Sequence, residues 1–400
     1  MQVALANSQG NAIQQQYRAL VKLSLSDFRC YQSFRLEADR RPVVLIGCNG
    51  VGKTNLLEAI SFLAPGRGLR RAALGDVTRC DRNATEHGPL WAVAATLETP
   101  NGQLEVATGY EMEPDTDAGG RRIVRLNGAS VKNQASLDEV CAAIWLVPDM
   151  DRLFVDGPST RRRFLDRMVS TFDISHNAQL NNYEKATRER TRLLREDNSA
   201  SQFSDVGWID ALEHRMAENG VAIAAARKSY VKKLNAAFQL STGCFPEARV
   251  DIVGDLELWL EKSSALEVED KFRGALSASR KLDRDAGRAL LGAHRSDVEV
   301  MYLPKKRQAA VCSTGEQKAL LISIILAHAR LVSMERGWPP LLLLDEIVAH
   351  LDLDKRAALF AEICAIGAQS WMTGTDLNLF EGFLGRAQTF RIDAGKAHSI

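Results

Sequence analysis

The sequence predicts an α/β protein in which a helical lobe interrupts a sheet. Two short aliphatic runs, Val43–Ile46 and Leu341–Leu344, are typical of buried parallel strands, because helices cover both faces of a parallel sheet. Between them, residues 174–240 carry apolar side chains at close to helical spacing. We therefore expect strands from both ends of the chain to share one sheet, with the helices inserted between them.

A glycine-rich segment follows the first run and matches the pattern G-x-x-x-x-G-K-T. Its glycines permit close backbone approaches that a side chain would block, so backbone N–H groups can form an anion-binding nest at the start of a helix. Lys53 would reach the β- and γ-phosphates of a nucleotide, and the Thr54 hydroxyl would bind Mg²⁺. The predicted nucleotide contacts are Gly47, Cys48, Asn49, Gly50, Val51, Gly52, Lys53 and Thr54.

Two acidic residues, Asp345 and Glu346, follow the second run. They stand at the carboxyl end of a predicted parallel strand, which is where open α/β sheets bind ligands. We expect Asp345 to hold Mg²⁺ through its water shell, and Glu346 to polarise an attacking water in a catalytic pair with Lys53. One sheet would then supply the phosphate cradle, the metal ligand and the base.

The composition fits a reduced cytoplasmic protein with a substantial core. The 400 residues are 46% hydrophobic, and the seven cysteines are scattered singly without a C-x-x-C pair. No run of 18 apolar residues occurs, so no membrane span is predicted, and residues 1–16 are expected to form a flexible tail. The net charge of +1 neither supports nor excludes nucleic acid as a partner, since binding depends on local patches.

Alternating and helical patterns predict the remaining elements. Strands are expected over 17–37, 91–97, 103–110, 122–126, 144–147 and 297–302. Helices are expected from Pro158, within 174–240 and over 263–285. The apolar stripes that predict the two long helices are Leu180, Tyr183, Thr187 and Leu194, and Trp208, Leu212, Met216, Ile223, Val231, Leu234 and Phe238.

Three arginine-rich segments each admit a structural and a functional interpretation. Pro65–Arg71 is either a solvated loop or a contact with DNA phosphate. Arg161–Arg163 oppose the dipole of their own helix, so either Asp166, three residues after Arg163, or a phosphate would offset them. The arginines of the first long helix form either a solvated face or a nucleic-acid surface. These arginines are Arg188, Arg190, Arg192 and Arg195.

The segment 313–318, with the sequence S-T-G-E-Q-K, follows an expected strand end at Val311–Cys312 and starts a long apolar helix. Ser313 is expected to be the N-cap of this helix, and Glu316 to complete a capping box. Gly315 has no such explanation, because glycine weakens the first turn of a helix.

A set of specific motifs occurs in order along the chain. They are Asp27–Tyr31, Asn49–Asn55, Pro65–Gly68, Val147–Asp149, Arg161–Asp166, Gly292–Asp297, Ser313–Lys318 and Thr373–Asp376. With the acidic pair after the second aliphatic run, this order resembles ATP-binding-cassette ATPases of the SMC and Rad50 type, and among them the RecF family. The 260 positions between Lys53 and Ser313 (313 minus 53) are too many for a transporter cassette and too few for SMC or Rad50 coiled-coil arms.

The resemblance implies a P-loop ABC-type ATPase head with mixed β-sheets and an inserted α-helical lobe. In that family ATP is sandwiched between two heads, so Ser313 and Gly315 would contact the γ-phosphate bound by a second copy. Asp352 would lie in the loop that communicates across the dimer. The implied division is a tail at 1–16, a head at 17–150 and 286–400, and a lobe at 151–285.

The resemblance also implies a function in recombinational repair and replication restart. Such a protein would be cytoplasmic, would form a homodimer on ATP and Mg²⁺, and would bind single- and double-stranded DNA at gaps and junctions. It would help RecO and RecR to load RecA, with slow, DNA-stimulated hydrolysis as the release switch. The segment at Thr373 departs from the family pattern because it lacks a switch histidine, and neither His294 nor His350 takes that role on sequence alone.

Other functions remain open at this stage. A P-loop phosphotransferase would use residues 174–240 as a lid, but it would have no use for the segment at Ser313. A DNA-binding scaffold with a vestigial nucleotide site and another SMC-like ATPase share the same motifs. A transporter cassette is disfavoured by the length of the inserted lobe.

Overall fold

A computed structural model describes residues 16–81, 90–112, 120–131, 134–196, 206–240 and 243–400. The predicted tail lies outside these residues, apart from Gln16. The strands are β1 (Ala19–Phe28), β2 (Tyr31–Glu37), β3 (Val43–Ile46), β4 (Trp91–Thr99), β5 (Gly102–Met112), β6 (Gly120–Leu126), β7 (Ala129–Ser130), β8 (Ala143–Leu146), β9 (Ala248–Val253), β10 (Asp297–Tyr302), β11 (Arg307–Gln308), β12 (Leu341–Leu344), β13 (Ser370–Gly374), β14 (Gln388–Asp393) and β15 (Lys396–Ser399). The helices are α1 (Lys53–Ser61), α2 (Pro158–Ser170), α3 (His176–Glu196), α4 (Val206–Phe238), α5 (Asp255–Trp259), α6 (Ala265–Ala278), α7 (Arg280–Ala286), α8 (Thr314–Arg336) and α9 (Leu353–Ile366).

The two aliphatic runs lie in one six-stranded sheet, as the sequence predicts. Its order is β15-β14-β3-β13-β12-β8, and β15 runs antiparallel to β14 while the other pairs are parallel. Val43 of β3 lies opposite Trp371 on one side and Gln388 on the other. Strands from distant parts of the chain therefore place their carboxyl ends along one edge.

Side chains of β3 alternate between two cores. Val43 and Leu45 pack with α1 and with the six-stranded antiparallel sheet, ordered β2-β1-β4-β5-β6-β7. Val44 and Ile46 belong to the core on the opposite face, together with α8 and α9. Because successive side chains of a strand point to opposite faces and both faces are covered, every position of this run is aliphatic.

The antiparallel sheet confirms the predicted hairpins. Strands β4 and β5 pair along their lengths, with Thr99 opposite Gly102 at the turn, and β5 pairs in turn with β6. Pro100 and Asn101 form the turn between β4 and β5, and Gly102 begins β5. This sheet covers the face of the parallel sheet that carries α1.

The inserted helices form a third core of their own. Tyr183 from α3, Met216 from α4 and Phe272 from α6 are buried together in it. An ion-pair network lies beneath them: Arg190 is fully buried and pairs with Glu213 and Asp283 at 2.8 and 2.6 Å. The expectation that Arg190 belongs to a solvent-facing or nucleic-acid-facing row is therefore wrong.

Three further expectations are wrong in detail. Trp208 was expected in the apolar stripe of its helix but is 54% exposed. It stands in the first turns of α4, and the spacing of apolar residues does not indicate how far along the helix its packing partners extend. The helix expected over 263–285 is two helices, since the Ser279 hydroxyl bonds to Leu276 and Asp283 and turns the chain between α6 and α7. Residues 309–311 form a 3-10 turn rather than a strand end.

Helix α8 is the central helix of the head. In the described part of the chain, it is long and apolar enough to cross a membrane, but 83% of the qualifying window is buried inside the protein. The apolar side chains in the middle of the helix, among them Leu320 and Ile324, are covered by the sheet and its neighbouring helices. The apolar character of α8 is therefore explained by its position in the core.

Candidate nucleotide-binding site

The glycine-rich loop connects β3 to α1, which begins at Lys53. The Lys53 ammonium is buried and donates hydrogen bonds to the carbonyls of Gly47 and Cys48 at 2.7 and 2.8 Å. Gly52 has a φ of 106°, and a Cβ there would lie 2.6 Å from the Tyr31 hydroxyl. Glycine is thus required at this point by both backbone conformation and space.

Burial lowers the pKa of Lys53, while the carboxylates of Glu346 and Asp345 act in the opposite direction and favour the charged ammonium. The lysine is therefore a desolvated cation at the mouth of the loop, close to two carboxylates. A phosphate group placed there would compensate the charge that burial disfavours.

The acidic pair at the end of β12 lies beside the loop. The Thr54 hydroxyl donates to the Asp345 carboxylate, with oxygen distances of 2.9 and 3.0 Å. Thr373, at the end of β13, donates to the same carboxylate at 2.7 Å and accepts from the Glu346 N–H at 2.9 Å. The edge of the sheet thus brings together residues that are far apart in the sequence.

Glu346 has an unusual backbone for a glutamate, with a φ of 54°. This left-handed conformation costs about 1 kcal/mol or more for a residue with a Cβ, and such strain is concentrated at functional sites. Among the described residues, the Glu346 carboxylate has no hydrogen-bond or ion-pair partner. Its side chain is therefore held by the backbone turn and remains available for a ligand.

The residues present fit a magnesium nucleotide. Hard cations such as Mg²⁺ take oxygen ligands, and Thr54 and Asp345 supply a hydroxyl and a carboxylate in direct contact with each other. The backbone of Gly47 to Thr54 supplies the cradle, and Lys53 supplies the cation. Among the described residues no cluster of three His, Cys, Asp or Glu side chains offers a different type of metal site.

The segment at Ser313 forms the predicted capping box. Ser313 is the N-cap of α8, its hydroxyl accepts from the Glu316 N–H at 3.4 Å, and the Glu316 carboxylate accepts from the Ser313 N–H at 2.9 Å. Hydrogen bonds from Lys305 and from Ser313 lower the pKa of Glu316 to about 2. A Cβ on Gly315 would meet nothing within 4 Å, so its own chain gives no steric reason for glycine.

Asp352 caps the next helix of the head. Its carboxylate accepts from the Lys355 N–H at 2.8 Å and pairs with the Lys355 ammonium at 2.6 Å, which lowers the pKa of Asp352. Two large apolar side chains near these caps face solvent: Val311, before Ser313, is 70% exposed and Leu353 is 77% exposed. Single exposed apolar side chains are common on protein surfaces, so these two exposures do not by themselves mark an interface.

The two histidines considered as phosphate sensors lie in different surroundings. His294 contacts the Tyr183 hydroxyl of α3 at 2.8 Å and the carbonyl of Ala289, in the segment after α7, at 3.0 Å. His350 is exposed at the end of a 3-10 turn after Glu346. The two contacts of His294 occupy both of its ring nitrogens, which leaves that side chain no free nitrogen for a phosphate.

The arginine segments have more specific partners than the sequence predicts. Arg161 forms a bidentate pair with Asp297 at 2.8 Å, and Asp166 pairs with Arg227 rather than with Arg163. The expectation of an Arg163–Asp166 pair is therefore wrong, because the acidic side chain turns into the core. In the basic loop, Arg70 pairs with the buried carboxylate of Glu58 at 3.3 Å.

Sequence reasoning missed three residues that support the site. Thr373 was noted only as part of a motif. The buried Gln317 amide donates to the carbonyls of Ala309 and Cys312 at 3.0 and 3.1 Å and so fixes the chain before α8. Lys318 pairs with Asp151 at 3.1 Å. A polar residue in an otherwise apolar helix was the available signal for the last two.

The chain matches the family model described as the RecF/RecN/SMC N terminal domain over residues 19–382. A relative from Mesorhizobium japonicum, named DNA replication and repair protein RecF, is 47% identical over 94% of this chain and 96% of its own length. This chain belongs to the RecF family. A RecF protein of Brucella suis is also 47% identical, over 95% of this chain and 96% of its own length.

Solved structures agree with the RecF assignment. The structure described as the recombination mediator protein RecF-ATPrS in the RecFOR pathway has a TM-score of 0.82 at 21% identity, covering 96% of this chain and 99% of that one. The corresponding RecF-ATP structure has a TM-score of 0.81 at 22% identity, covering 98% and 99%. The predicted fold, an ABC-type ATPase head with mixed sheets and a helical insertion, is thereby confirmed.

Proposed function

We propose that this chain is an ATP-dependent DNA-binding protein of recombinational repair and replication restart. Two heads would close on ATP and Mg²⁺, the dimer would bind DNA at gaps and single/double-strand junctions, and slow, DNA-stimulated hydrolysis would release it. A divided site supports the proposal: Thr54 of the phosphate loop bonds to Asp345, and Gly315, in the segment 313–318, has open space beside it and no steric requirement within its own chain.

Each residue of the loop would have one task toward a bound nucleotide. Backbone N–H groups from Gly47 to Thr54 and the Lys53 ammonium would bind the phosphates, and Thr54 with Asp345 would hold Mg²⁺. The metal, when bound, neutralises charge that develops on the phosphate oxygens. Glu346, whose carboxylate has no partner among the described residues, would orient and deprotonate the attacking water.

A second copy of the chain would complete the site with its segment 313–318. Ser313 stands at the positive end of α8, and the space beside Gly315 permits close approach of a phosphate to the helix N-terminus. The exposed side chains of Val311 and Leu353 would supply apolar contact area around the polar cap of Asp352. ATP can shift the equilibrium between monomer and dimer only to the extent that it binds the closed dimer more tightly than the monomer.

The family supports the wider setting of the proposal. Relatives covering almost the whole chain are named DNA replication and repair proteins, and the similar solved structures are described within the RecFOR pathway. We infer a cytoplasmic protein that works with RecO and RecR to load RecA. We also infer that residues 17–150 and 286–400 act as the ATPase head and residues 151–285 as the lobe.

The decisive experiment measures mass by light scattering with and without Mg-ATP. Glu346→Gln should accumulate as a dimer on ATP, because binding remains and hydrolysis is blocked. Ser313→Arg should stay monomeric, because a large side chain obstructs the partner's phosphate. A monomeric Glu346→Gln or a dimeric Ser313→Arg would contradict the divided site.

A DNA-binding measurement tests whether the nucleotide controls DNA affinity. Lys53→Met should lose the ATP-dependent part of its affinity for a junction substrate, since the buried cation is replaced by a thioether. Lys232→Met, on the exposed face of α4, serves as the control for charge removal. Unaltered junction affinity in Lys53→Met with ATP present would instead favour a DNA-binding scaffold with a vestigial nucleotide site.

A further inference from the structure

A cavity of about 550 Å³ lies between helix α3 of the lobe and the segment 288–295 that follows α7, away from the residues of the nucleotide site. Three of its arginines, Arg188, Arg192 and Arg195, project from one face of α3, because residues four and seven positions apart align on a helix. Arg288 and Arg295 line it from the segment that follows α7. We call this cavity the arginine cleft.

Among the described residues, none that lines the cleft is acidic and could balance its charge. In the part of the chain that the structure describes, Arg188, Arg192, Arg288 and Arg295 form no ion pair with a carboxylate. The Arg195 guanidinium donates to the Gly287 carbonyl. Arg190, on the inward face of the same helix, is paired with Glu213 and Asp283, whereas no described carboxylate lines the cleft.

The wall that carries Arg288 and Arg295 is held in place by buried contacts. The Arg227 guanidinium donates to the Ala293 carbonyl at 2.7 Å, and Tyr183 contacts His294 at 2.8 Å. Gly292 has a φ of 130°, and a Cβ there would lie 2.1 Å from the Tyr183 hydroxyl. The charges are therefore gathered on a preformed surface rather than on a loose loop, which reduces the entropic cost of binding.

The chemistry of the lining indicates the ligand. Guanidinium groups bind phosphate oxygens in a bidentate manner and release condensed counterions when they contact a nucleic-acid backbone. None of the described residues that line the cleft is Phe, Tyr or Trp, so it has no platform on which bases could stack. The cleft is suited to the backbone of a strand and not to its sequence.

We propose that the arginine cleft, between α3 of the lobe and the segment after α7, binds backbone phosphates of DNA as a contact site that is separate from the ATP sites. The inference rests on the proposed DNA-binding function and adds where the lobe would contact the strand. The cleft would raise affinity for DNA of any sequence, and its contribution would weaken as salt increases.

The test compares two charge-matched triple variants by fluorescence anisotropy on gapped duplex DNA, with a non-hydrolysable ATP analogue present. One is Arg188→Gln, Arg192→Gln and Arg288→Gln. The control is Lys232→Gln, Lys262→Gln and Arg273→Gln, which removes exposed cations of the same lobe outside the cleft. Binding of the ATP analogue should be the same in both variants and in the unmodified chain, which shows that the heads are intact.

We expect the cleft variant to bind DNA roughly 10- to 100-fold more weakly at about 0.15 M salt, with a salt slope smaller by about 2 to 3, because about 0.9 is lost per phosphate contact. In the control variant the salt slope should decrease by less than a third of the decrease seen in the cleft variant. Equal affinity and slope in the two variants would overturn the proposal. Absence of DNA binding by the unmodified chain would contradict the proposed function instead.

Inorganic tripolyphosphate distinguishes a strand from a soluble anion. It is titrated into each variant while the ATP sites are saturated with the analogue. If tripolyphosphate displaces DNA from the unmodified chain and does so less effectively in the cleft variant, the cleft is a phosphate site that the DNA strand occupies. Loss of tripolyphosphate binding without any change in DNA affinity would assign the cleft to a soluble polyphosphate and overturn the DNA proposal.

Discussion

The Thr373 hydroxyl donates to the Asp345 carboxylate at 2.7 Å and accepts from the backbone N–H of Glu346 at 2.9 Å. One side chain at the end of β13 thus fixes the acidic pair at the end of β12. Because these strands are neighbours in a parallel sheet, the contact is an outcome of their register. It connects the stability of the sheet edge to the orientation of the residues that would act on a nucleotide.

Replacing Thr373 by valine should slow ATP hydrolysis by about tenfold or more with a smaller effect on ATP affinity. Valine preserves the shape but leaves the Glu346 N–H unsatisfied, which costs about 1–3 kcal/mol. Steady-state kinetics at varied Mg²⁺ measure the effect. Thr373→Ser retains the hydroxyl and should be close to the unmodified chain; equal rates for valine and serine would show that the contact does not orient the acidic pair.

Gly315→Leu should leave the monomer as stable as before, or slightly more stable. A side chain there meets open space, and leucine has a higher helix propensity than glycine by about 0.5–1 kcal/mol. The same variant should fail to dimerise on Mg-ATP. Thermal unfolding and light scattering on one sample separate the two effects, and a loss of thermal stability would mean that Gly315 is required by its own chain.

Arg190→Met should destabilise the lobe by about 3–5 kcal/mol, because it leaves the buried carboxylates of Glu213 and Asp283 with fewer partners. Arg188→Met, two residues earlier and exposed, should change stability by no more than about 0.5 kcal/mol. Urea unfolding of both variants measures the difference. Similar values for the two would contradict the assignment of Arg190 to a buried network.

The stability of the chain should fall with pH below about 6.5 through His328. Burial lowers the pKa of this imidazole to about 3, with smaller contributions from Arg167 and Arg336. Its folded pKa lies below its unfolded value of 6.5, so below that value the unfolded state binds more protons and stability decreases as pH falls toward 3. Between pH 7 and pH 5 the loss from this group is about 2 kcal/mol.

Urea midpoints at those two pH values test the His328 prediction. His328→Gln keeps a polar partner for Tyr230, whose hydroxyl lies 2.9 Å from the ring, and removes the titrating group. The variant should therefore lose less stability on acidification than the unmodified chain. An unchanged pH dependence would show that another group dominates this range.

Local patterns predicted the parts of the fold that depend on local physics. The uniform aliphatic character of Val43–Ile46 followed from burial on both faces, and the capping box at Ser313 followed from residues three positions apart. The phosphate loop was recognisable because its glycines and Lys53 occupy fixed spacings. Such features need no knowledge of what the chain folds against.

Features that depend on distant partners were not predictable from one sequence. Arg190 and Arg188 belong to the same helix and look alike in the sequence, but only the first is covered, by residues of α4 and α7. The guanidinium partner of Asp166 is Arg227, far along the chain, instead of the nearby Arg163, and His176 contacts the same carboxylate. Thr373 was missed because its role depends on the register of two strands.

The central position of β3 in its sheet has a consequence for biosynthesis. Its two neighbours, β13 and β14, are translated long after the phosphate loop has left the ribosome. The antiparallel sheet can form early from local hairpins, but β3 stays unpaired until the last strands arrive, and such long-range pairing is slow. A nascent or truncated chain would present the phosphate loop without Asp345 and Glu346 held beside it. The ability to bind nucleotide would therefore indicate that synthesis has passed β14.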